Sequence, residues 1–527
     1  METSLASDPY DRVRYPSYAY AQTHPDRLCA ISRLHGLEAA PPERCRYLEL
    51  GCGSGTNLLA MATYLPESRF LGIDLAASAI AEARRGAQEL LLTGCLEFRQ
   101  GDIATLADLG EFDYIIAHGV FSWVPEPVRL ALLRLIQQHL APQGVAYISY
   151  NTYPGGHLRQ MVRQMMRYHV EELPEDQRIE QGRALVQFVH DTQAGPPAYG
   201  PILQAELEHL QKADSGLIRH DDFAECNQPF YFHEFNALAQ AHALQFLSEA
   251  NLHEMSFRNF PPAAVETLLQ LDTVRREQYL DFLCCRRFRR TLLVRQGRPI
   301  DREHPEAYLP SLTLSSDATQ EPSPASPSTS AAATTPSSAA THDAETTFTR
   351  SQAKVTFRSD FAYTLLSELT AAWPCRRTFS QLMATVRARP GATEVTETEM
   401  QSFVLQTISI GLVDIHTGAG LCAAGVGSHP RASRFARWQV GHGDGLTSLL
   451  HASIRTQGDL TPVLVELCDG TRDHQALVEA LLAAVVAGRL LPPAGVARSD
   501  VERLRTSITK HLPGTLAHLQ RVGLLEG

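Results

Sequence analysis

A glycine-rich turn between an apolar run and a predicted helix limits what this chain can fold into. The turn contains Gly51, Gly53 and Gly55, and it follows a segment, 46–50, that is predicted to be a buried strand. Glycines at alternate positions let a backbone bend sharply and come close to a bound ligand. A helix is predicted over 57–64, and its N-terminal amides carry a partial positive charge toward the turn. The pattern therefore predicts a strand, a ligand-binding turn and a helix in succession.

The spacing of these glycines separates two kinds of nucleotide-like ligand. A dinucleotide-binding turn has the pattern G-x-G-x-x-G, which would place its third glycine at Thr56. The observed pattern, Glu49-x-Gly51-x-Gly53-x-Gly55, resembles instead the first motif of class I S-adenosylmethionine (SAM)-dependent methyltransferases. In that family the acidic residue faces the methionine end of the cofactor. An ordinary tight turn from strand to helix is the alternative interpretation.

Alternating strand-like and helix-like segments after the turn predict a doubly wound α/β sheet. Asp74 ends the second predicted strand, where a carboxylate can accept hydrogen bonds from both ribose hydroxyls of a cofactor. A simple helix cap is the other interpretation of Asp74. Asp102 follows the third predicted strand, and we expect it to bind the adenine amino group while Ile103 forms an apolar wall.

The loops after the fourth and fifth predicted strands, 112–117 and 145–150, are rich in aromatic and polar side chains. Ligands of open α/β sheets bind outside the carboxyl ends of the strands, so these loops are expected at the mouth of the site. The first loop contains His118 and Trp123, and the second contains Asn151. His118 is interpreted first as a cofactor contact and only second as a general base.

Four tyrosines lie within residues 10–20, ahead of a helix predicted over 25–37. Tyrosine combines an apolar ring with a hydrogen-bonding tip, which suits a lid over a site that needs both. An arm that only packs against the domain fits the pattern equally well. Both interpretations stay open.

Residues after the fifth predicted strand form the next unit, a helical insertion over 158–243 that interrupts a SAM-binding core over 1–157. Two strand-like segments within 244–300 are expected to be the sixth and seventh strands, which would complete a seven-stranded sheet. An aromatic stretch near the end of the insertion includes Tyr231, a candidate for the wall of a substrate site. An ordinary packed connection is the alternative.

The remainder of the chain divides into a polar segment and a second folded unit. Residues 315–346 contain no Leu, Ile, Val, Met, Phe, Tyr or Trp, which predicts a disordered linker because little apolar surface offsets the entropy of ordering. Residues 348–527 contain two sets of helical patterns, each ending in a glycine turn and a short apolar–acidic segment. We expect an α-rich, winged-helix-like domain that docks a protein or forms a homodimer. A disordered linker also predicts that SAM binding survives removal of this domain.

The composition excludes several classes of function. A net charge of −11 argues against a general binder of nucleic acid or of membrane surfaces. No apolar run is long enough to span a membrane, and the polar N-terminus does not resemble a signal peptide. Ten cysteines without C-x-x-C pairs or His/Cys ligand spacing predict reduced thiols in a cytoplasmic protein, and no metal site.

Further motifs extend the resemblance to the class I methyltransferases that carry a methyltransferase regulatory domain. Within that group the chain is similar to the bacterial protein-lysine methyltransferases known from rickettsiae, which act on an outer-membrane protein. The resemblance covers most of the chain. Its motifs here are Tyr18 with the segment 22–25, and the segments 48–53, 72–75, 112–116, 118–125, 149–152, 278–283, 286–289 and 467–473.

The resemblance implies transfer of a methyl group from SAM to a protein lysine nitrogen. A small-molecule O- or N-methyltransferase and a non-catalytic SAM-binding scaffold stay open as alternatives. The expected cofactor-binding residues are Gln22, Glu49, Gly51, Cys52, Gly53, Gly55, Asn57, Asp74, Leu75, Asp102, Ile103, His118 and Gly119. The expected catalytic residues are Tyr18, His118 and Trp123, and the expected substrate contacts are Tyr10, Tyr15, Phe121, Trp123, Asn151, Tyr153 and Tyr231.

Overall fold

A seven-stranded mixed β-sheet is the centre of the N-terminal part of the chain. The computed structural model describes residues 17–212, 215–257, 260–321, 345–351, 353–389, 395–442, 445–455, 460–493 and 495–527. The strands of the sheet are β1 (Arg46–Leu50), β2 (Arg69–Asp74), β3 (Leu96–Gln100), β4 (Phe112–Ala117), β5 (Leu140–Asn151), β6 (Leu244–Glu249) and β7 (Phe288–Arg295). Their spatial order is β3-β2-β1-β4-β5-β7-β6, with β7 antiparallel to β5 and β6. The predicted seven-stranded, Rossmann-like sheet is therefore confirmed.

The sheet lies between two apolar layers because its central strands are apolar on both faces. Tyr114 and Ile116 of β4 enter one layer, and Ile115 enters the other. Parallel strands that are buried on both faces need such continuous apolar runs. The first helices of the chain are α1 (Pro25–Leu34), α2 (Thr56–Tyr64), α3 (Ala77–Glu89) and α4 (Glu126–His139).

A helical insertion separates β5 from β6, and it has a small apolar core of its own. Val162, Met166, Val186 and Leu203 are fully buried in that core. Two more helices lie between β6 and β7. The helices from the insertion onward are α5 (Gly155–Val170), α6 (Arg178–Thr192), α7 (Tyr199–Lys212), α8 (Ser215–Asp222), α9 (Phe232–Ala241), α10 (Pro262–Leu269) and α11 (Thr273–Cys284).

A buried ion cluster fixes β7 against β6 and α11. The Arg289 guanidinium is fully buried and donates to the carboxylates of Glu249 (2.6 Å), Asp281 (2.8 Å) and Glu277 (3.2 Å). A buried charge needs this degree of pairing to offset its loss of hydration. The cluster holds the start of β7, and with it Phe288, at the rim of the sheet.

The C-terminal part is α-rich with short strands, as predicted. Its helices are α12 (Asp360–Ala372), α13 (Phe379–Arg387), α14 (Glu397–Ser409), α15 (Arg434–Gln439), α16 (Leu460–Leu467), α17 (His474–Val486) and α18 (Val501–Arg521). Its strands are β8 (Thr313–Ser315), β9 (Thr319–Gln320), β10 (Thr346–Arg350), β11 (Ala353–Phe357), β12 (Arg377–Thr378), β13 (Asp414–His416), β14 (Leu446–Thr447) and β15 (Ser453–Ile454). They form the sheets β11-β10-β9 and β12-β8-β13 and the hairpin β14-β15.

Both ends of the predicted linker 315–346 belong to these small sheets, which corrects its boundaries. Ser315 ends β8 and pairs with Asp414, and Ser316 and Ala318 are fully buried. Backbone pairing orders this end, although its side chains offer little apolar surface. Residues 322–344 lie outside the described residues.

The C-terminal part packs directly against the N-terminal domain. Leu28 and Ile31 of α1 share one apolar core with Leu365 and Leu366 of α12. The Asp26 carboxylate, which is 6% exposed, pairs with Arg376 at 3.0 Å and accepts the backbone N–H of Thr417 at 2.8 Å. Removal of residues 348–527 would therefore expose the buried face of α1.

Two findings concern the chain as a whole. All ten cysteines lie within the described ranges, and each is a free thiol. Throughout those ranges, every helix is too short or too polar to cross a membrane.

Candidate active site

The glycine turn after β1 has a backbone shape that only glycine tolerates without strain. Gly51, Gly53 and Gly55 have φ values of +75°, +53° and +77°. A Cβ atom at Gly55 would lie 2.4 Å from Phe98, and one at Gly51 would lie 2.5 Å from Val120. The turn is thus closely packed at Gly51 and Gly55 and open at Gly53, and Gly55 caps the N-terminus of α2.

Asp74, at the end of β2, holds this turn in place. Its Oδ2 accepts the Gly53 N–H at 2.8 Å, and its Oδ1 accepts the Ala76 N–H at 2.9 Å. The neighbouring Leu75 is 53% exposed. Asp74 therefore lies on the rim beside the turn, where the sequence placed a ribose-binding carboxylate, and Leu75 offers an apolar surface next to it.

Glu49 lies beneath the turn and is buried. Its Oε1 accepts the Asn57 Nδ2–H at 2.9 Å, whereas its Oε2 has no hydrogen-bond partner among the described residues. Burial raises the pKa of Glu49 to about 8; the bond from Asn57 opposes this rise and the charge of Asp74 adds to it. An incoming cation would satisfy Oε2 and stabilise the ionised carboxylate.

Asn57 links this site to the C-terminal part of the chain. Its Oδ1 accepts the Tyr20 N–H at 3.0 Å and lies 2.7 Å from Nε2 of His451. His451 is 5% exposed, and its ring lies 5.1 Å from that of His24. Burial holds the pKa of His451 well below its ordinary value, so the ring is neutral. Because Asn57 Oδ1 can only accept, the His451 Nε2 carries the hydrogen.

His118 is enclosed by aromatic rings where β4 ends. Its ring lies 4.1 Å from Tyr20 and 6.3 Å from Phe288, and its Nδ1 lies 3.0 Å from the Tyr147 hydroxyl. The Gln22 side chain also bonds that hydroxyl. Burial, helped by the charge of Arg290, lowers the pKa of His118 to about 3. His118 is therefore neutral and too weak a base to hold a proton near neutral pH.

A cleft of about 230 Å³ lies between this rim and the helical insertion. Trp123, Asn151 and Phe288 line it from the sheet side, and Asp221 and Asn227 line it from the insertion. The Asn151 amide donates to Asn227 Oδ1 at 2.9 Å, which joins the two sides.

A second cleft of about 490 Å³ adjoins the first, and both are lined by Gln160 and Asn227. Tyr153 is at its edge and stacks on His157 at 4.0 Å between ring centroids. Tyr231 lies 5.1 Å from Tyr153 and extends this aromatic surface. We refer to the two clefts together as the groove, and Phe288, which lines the first cleft, contacts His118 edge-on at 6.3 Å between ring centroids.

Several predicted site residues have other roles. Phe121 was expected to form a substrate wall, but it is fully buried in the core against Phe230 and Phe235, so that prediction is wrong. Tyr20 packs against His118, with the planes of the two rings tilted by 51°. Tyr10 and Tyr15 lie outside the described residues.

The remaining predicted cofactor contacts lie near the turn. Cys52 is buried, and its N–H donates to the Ile73 carbonyl at 3.1 Å. Asp102 is exposed and accepts the Ala104 N–H at 2.9 Å, while Ile103 packs against the core. The Gly119 N–H donates to Ser149 Oγ at 2.8 Å.

Four residues of the site were missed by sequence reasoning. Tyr147 was counted as part of a strand, and Tyr20 was not separated from the other N-terminal tyrosines. Asp221 and His451 come from the insertion and from the C-terminal part, and their positions depend on tertiary packing. Tyr20 had a signal in its place within the tyrosine cluster, and Asp221 had one in its place within the stretch 220–235, a candidate substrate wall.

Comparison with known families matches three segments of the chain. Residues 48–146 match a methyltransferase domain, residues 214–295 match a predicted methyltransferase regulatory domain, and residues 428–524 match the PKMT C-terminal winged helix domain. Protein RP028 of Rickettsia prowazekii is 32% identical over 241 residues, which cover 45% of this chain and 96% of that protein. The chain belongs to the SAM-dependent methyltransferases that carry this regulatory domain.

Two further proteins are similar over longer stretches. Protein RP789 of Rickettsia prowazekii is 42% identical over 299 residues, which span 56% of this chain but only 54% of that protein. The solved structure of PKMT2 from Rickettsia typhi superimposes with a TM-score of 0.85 at 25% identity, covering 97% of this chain and 100% of that one. PKMT2 has also been solved in complex with AdoHcy. The winged-helix-like C-terminal domain predicted from the sequence is thereby confirmed.

Proposed function

We propose that this protein transfers a methyl group from SAM to lysine side chains of a protein. The observation that carries the proposal is the groove formed by the two neighbouring clefts, which Phe288 joins to His118 on the cofactor rim. An extended polypeptide could lie in such a groove and direct one side chain inward between Trp123 and Phe288. The likeness to PKMT2 along nearly the full chain supports the same acceptor class.

The residues around the glycine turn fit SAM. The Oε2 atom of Glu49, which has no hydrogen-bond partner among the described residues, suits the amino group at the methionine end of SAM. Gly53, where a Cβ atom would meet no other atom within 4 Å, leaves room for the cofactor. We assign the ribose to Asp74, the adenine to Leu75, Asp102 and Ile103, and further contacts to His118 and Gly119. When bound, SAM supplies an electrophilic methyl group attached to a sulfonium sulfur. The sulfur is the leaving group and becomes a neutral thioether.

The chain itself contributes orientation and a dry approach path. Methyl transfer is an in-line displacement, so fixing the acceptor nitrogen against the methyl group lowers the barrier. The rings of Trp123, Phe288 and Tyr20 provide walls that limit water near the acceptor. A lysine nitrogen, with an ordinary pKa of about 10.4, must lose a proton before it can attack.

The proposal also gives each part of the chain a role. Residues 1–157 bind SAM, the insertion 158–243 forms one side of the acceptor groove, and the C-terminal domain supports the cofactor turn. A homodimer and a cytoplasmic location stay predictions from the sequence. Sedimentation velocity of the full chain and fractionation of the native cell test them.

Labelling separates this function from its two alternatives. The purified protein is incubated with methyl-labelled SAM and a lysate of the native host, and protein is then separated from small molecules. We expect the label in protein, recovered as methyl-lysine after hydrolysis. Label only among small molecules would indicate a small-molecule methyltransferase, and bound SAM without any transfer would indicate a scaffold. The chain has only three lysines, Lys212, Lys354 and Lys510, so self-labelling is easily mapped.

A further inference from the structure

We propose that Asp221 binds the ammonium group of the acceptor lysine and takes up its proton before methyl transfer. This inference rests on the proposed function and adds the base that the function requires. Asp221 lies near the end of α8, in the regulatory insertion, and lines the inner cleft together with Trp123, Asn151 and Phe288. The insertion thus provides the base, and the sheet binds the cofactor.

The position of Asp221 connects the cleft to the cofactor rim. Its charge acts on the phenol of Tyr20, whose ring lies 4.1 Å from His118. Phe288 lines the same cleft and contacts His118 edge-on at 6.3 Å. A lysine side chain that enters this cleft therefore passes Asp221 on its way to the rim.

Asp221 differs from the neighbouring acids because, among the described residues, no cation forms an ion pair with it, although the charge of Arg159 acts on it. Asp222 is 1% exposed and pairs with Arg159 at 2.6 Å, and Glu206 pairs with both Arg159 (3.0 Å) and Arg287 (2.5 Å). Within the described part of the chain, no hydrogen bond or ion pair holds the Asp221 carboxylate. A carboxylate without an ion-pair partner, in a cleft that Trp123 and Phe288 also line, suits an ammonium group.

The surroundings of Asp221 favour proton uptake near neutral pH. Burial raises the pKa of Asp221 to about 7; the charge of Asp222 adds to the rise, and Arg159 opposes it. The other titratable or charged groups near it are His209 and Arg287 at the cleft and Tyr20 at the rim. Burial and the charge of Glu49 raise the pKa of Tyr20, so its phenol stays protonated and does not compete as a base.

The step balances without a further reactant. The lysine ammonium gives one proton to the Asp221 carboxylate, which leaves a neutral amine and a carboxylic acid. The amine lone pair then forms the N–C bond while the methyl–sulfur bond breaks, with its electron pair going to sulfur. The product is a methylated ammonium ion, and Asp221 returns its proton to solvent through the open groove.

Kinetics of Asp221→Asn, with the protein acceptor found by the labelling experiment, test the assignment. At pH 7.5 we expect kcat/KM to fall by about 100-fold or more, the usual contribution of a general base. The Kd for SAM and the melting temperature should stay at wild-type values. Asp221→Glu keeps the carboxylate and should retain more activity than Asp221→Asn. Asp176→Asn is the matched control, since Asp176 is an exposed acid of the same insertion that lines neither cleft.

The pH profile separates a base from a residue that only shapes the cleft. Wild-type kcat/KM should rise up to about pH 7 and then stay flat to about pH 10, where the lysine itself titrates. In Asp221→Asn, kcat/KM should rise throughout the range from about pH 7 to about pH 10, because only the neutral lysine reacts. The difference in kcat/KM between this variant and the wild type should therefore become smaller at high pH. Parallel profiles, or activity within threefold of wild type at pH 7.5, would overturn the assignment and leave the proposed function intact. Absence of methyl-lysine with the wild-type protein would overturn both.

Discussion

The contact between His451 and Asn57 predicts that the C-terminal domain controls cofactor affinity. His451→Ala removes a buried hydrogen bond of 2.7 Å from the residue that also bonds Glu49. A net hydrogen bond is worth about 0.5–1.5 kcal/mol. Asn57 Oδ1 keeps the Tyr20 amide at 3.0 Å, so the acceptor is not left without a partner and no larger penalty applies. Loss of about 1 kcal/mol of cofactor binding corresponds to a Kd for SAM about fivefold higher.

Calorimetric titration with SAM measures this effect, and two variants control it. Trp438→Phe removes a bond of 2.8 Å to Glu89 of α3 across the same interface, away from the glycine turn, and should leave the Kd within twofold. His451→Gln keeps a side-chain donor and should recover part of the affinity. If His451→Ala lowers the melting temperature as Trp438→Phe does but binds SAM with the wild-type Kd, the contact is only structural and the reasoning is refuted.

Three other predictions follow from the site. Asp74→Ala removes the carboxylate that holds the turn and that we assign to the ribose. Loss of two bonds from ribose hydroxyls to a charged group, at about 1.5 kcal/mol each, should raise the Kd for SAM by about 100-fold; unchanged affinity would contradict the ribose assignment. Phe121→Ala should lower the free energy of unfolding by about 3–5 kcal/mol in urea titration, and a loss below about 1 kcal/mol would contradict its core position. The pKa of Glu49 is raised from 4.5 to about 8 in the folded state, so the cofactor-free protein should lose stability as pH rises from about 4.5 to 8. Glu49→Gln should abolish this slope in melting temperature, and an equal slope in both proteins would exclude Glu49 as its source.

The local parts of the fold and the site could be predicted from sequence. Alternating glycines after an apolar run specify the turn at Gly51, because their positive φ values exclude other residues. Asp74 follows from its place at the end of the second strand. Both predictions use residues close together in the chain, where spacing alone limits the geometry.

Contacts between distant segments could not be predicted in this way. Asn57 and His451 are 394 positions apart, and no periodicity links them. Phe121 and Trp123 lie two positions apart in one loop, yet Phe121 is buried in the core while Trp123 lines the cleft. Side-chain direction in a loop depends on tertiary packing, which composition does not reveal. Ser315 was assigned to a linker for the same reason, because its order comes from strand pairing rather than from apolar area.

In the proposed reaction, two of the four residues that sequence reasoning missed belong to parts of the chain outside the sheet. His451 of the C-terminal domain bonds the residue that positions Glu49, and Asp221 of the insertion faces the acceptor cleft. Tyr20 is linked to both, since its amide bonds Asn57 and the charge of Asp221 acts on its phenol. Displacement of the N-terminal segment would therefore disturb the cofactor turn and the acceptor cleft together. In the proposed reaction, the insertion and the C-terminal domain therefore both contribute to a site whose cofactor is held by the sheet.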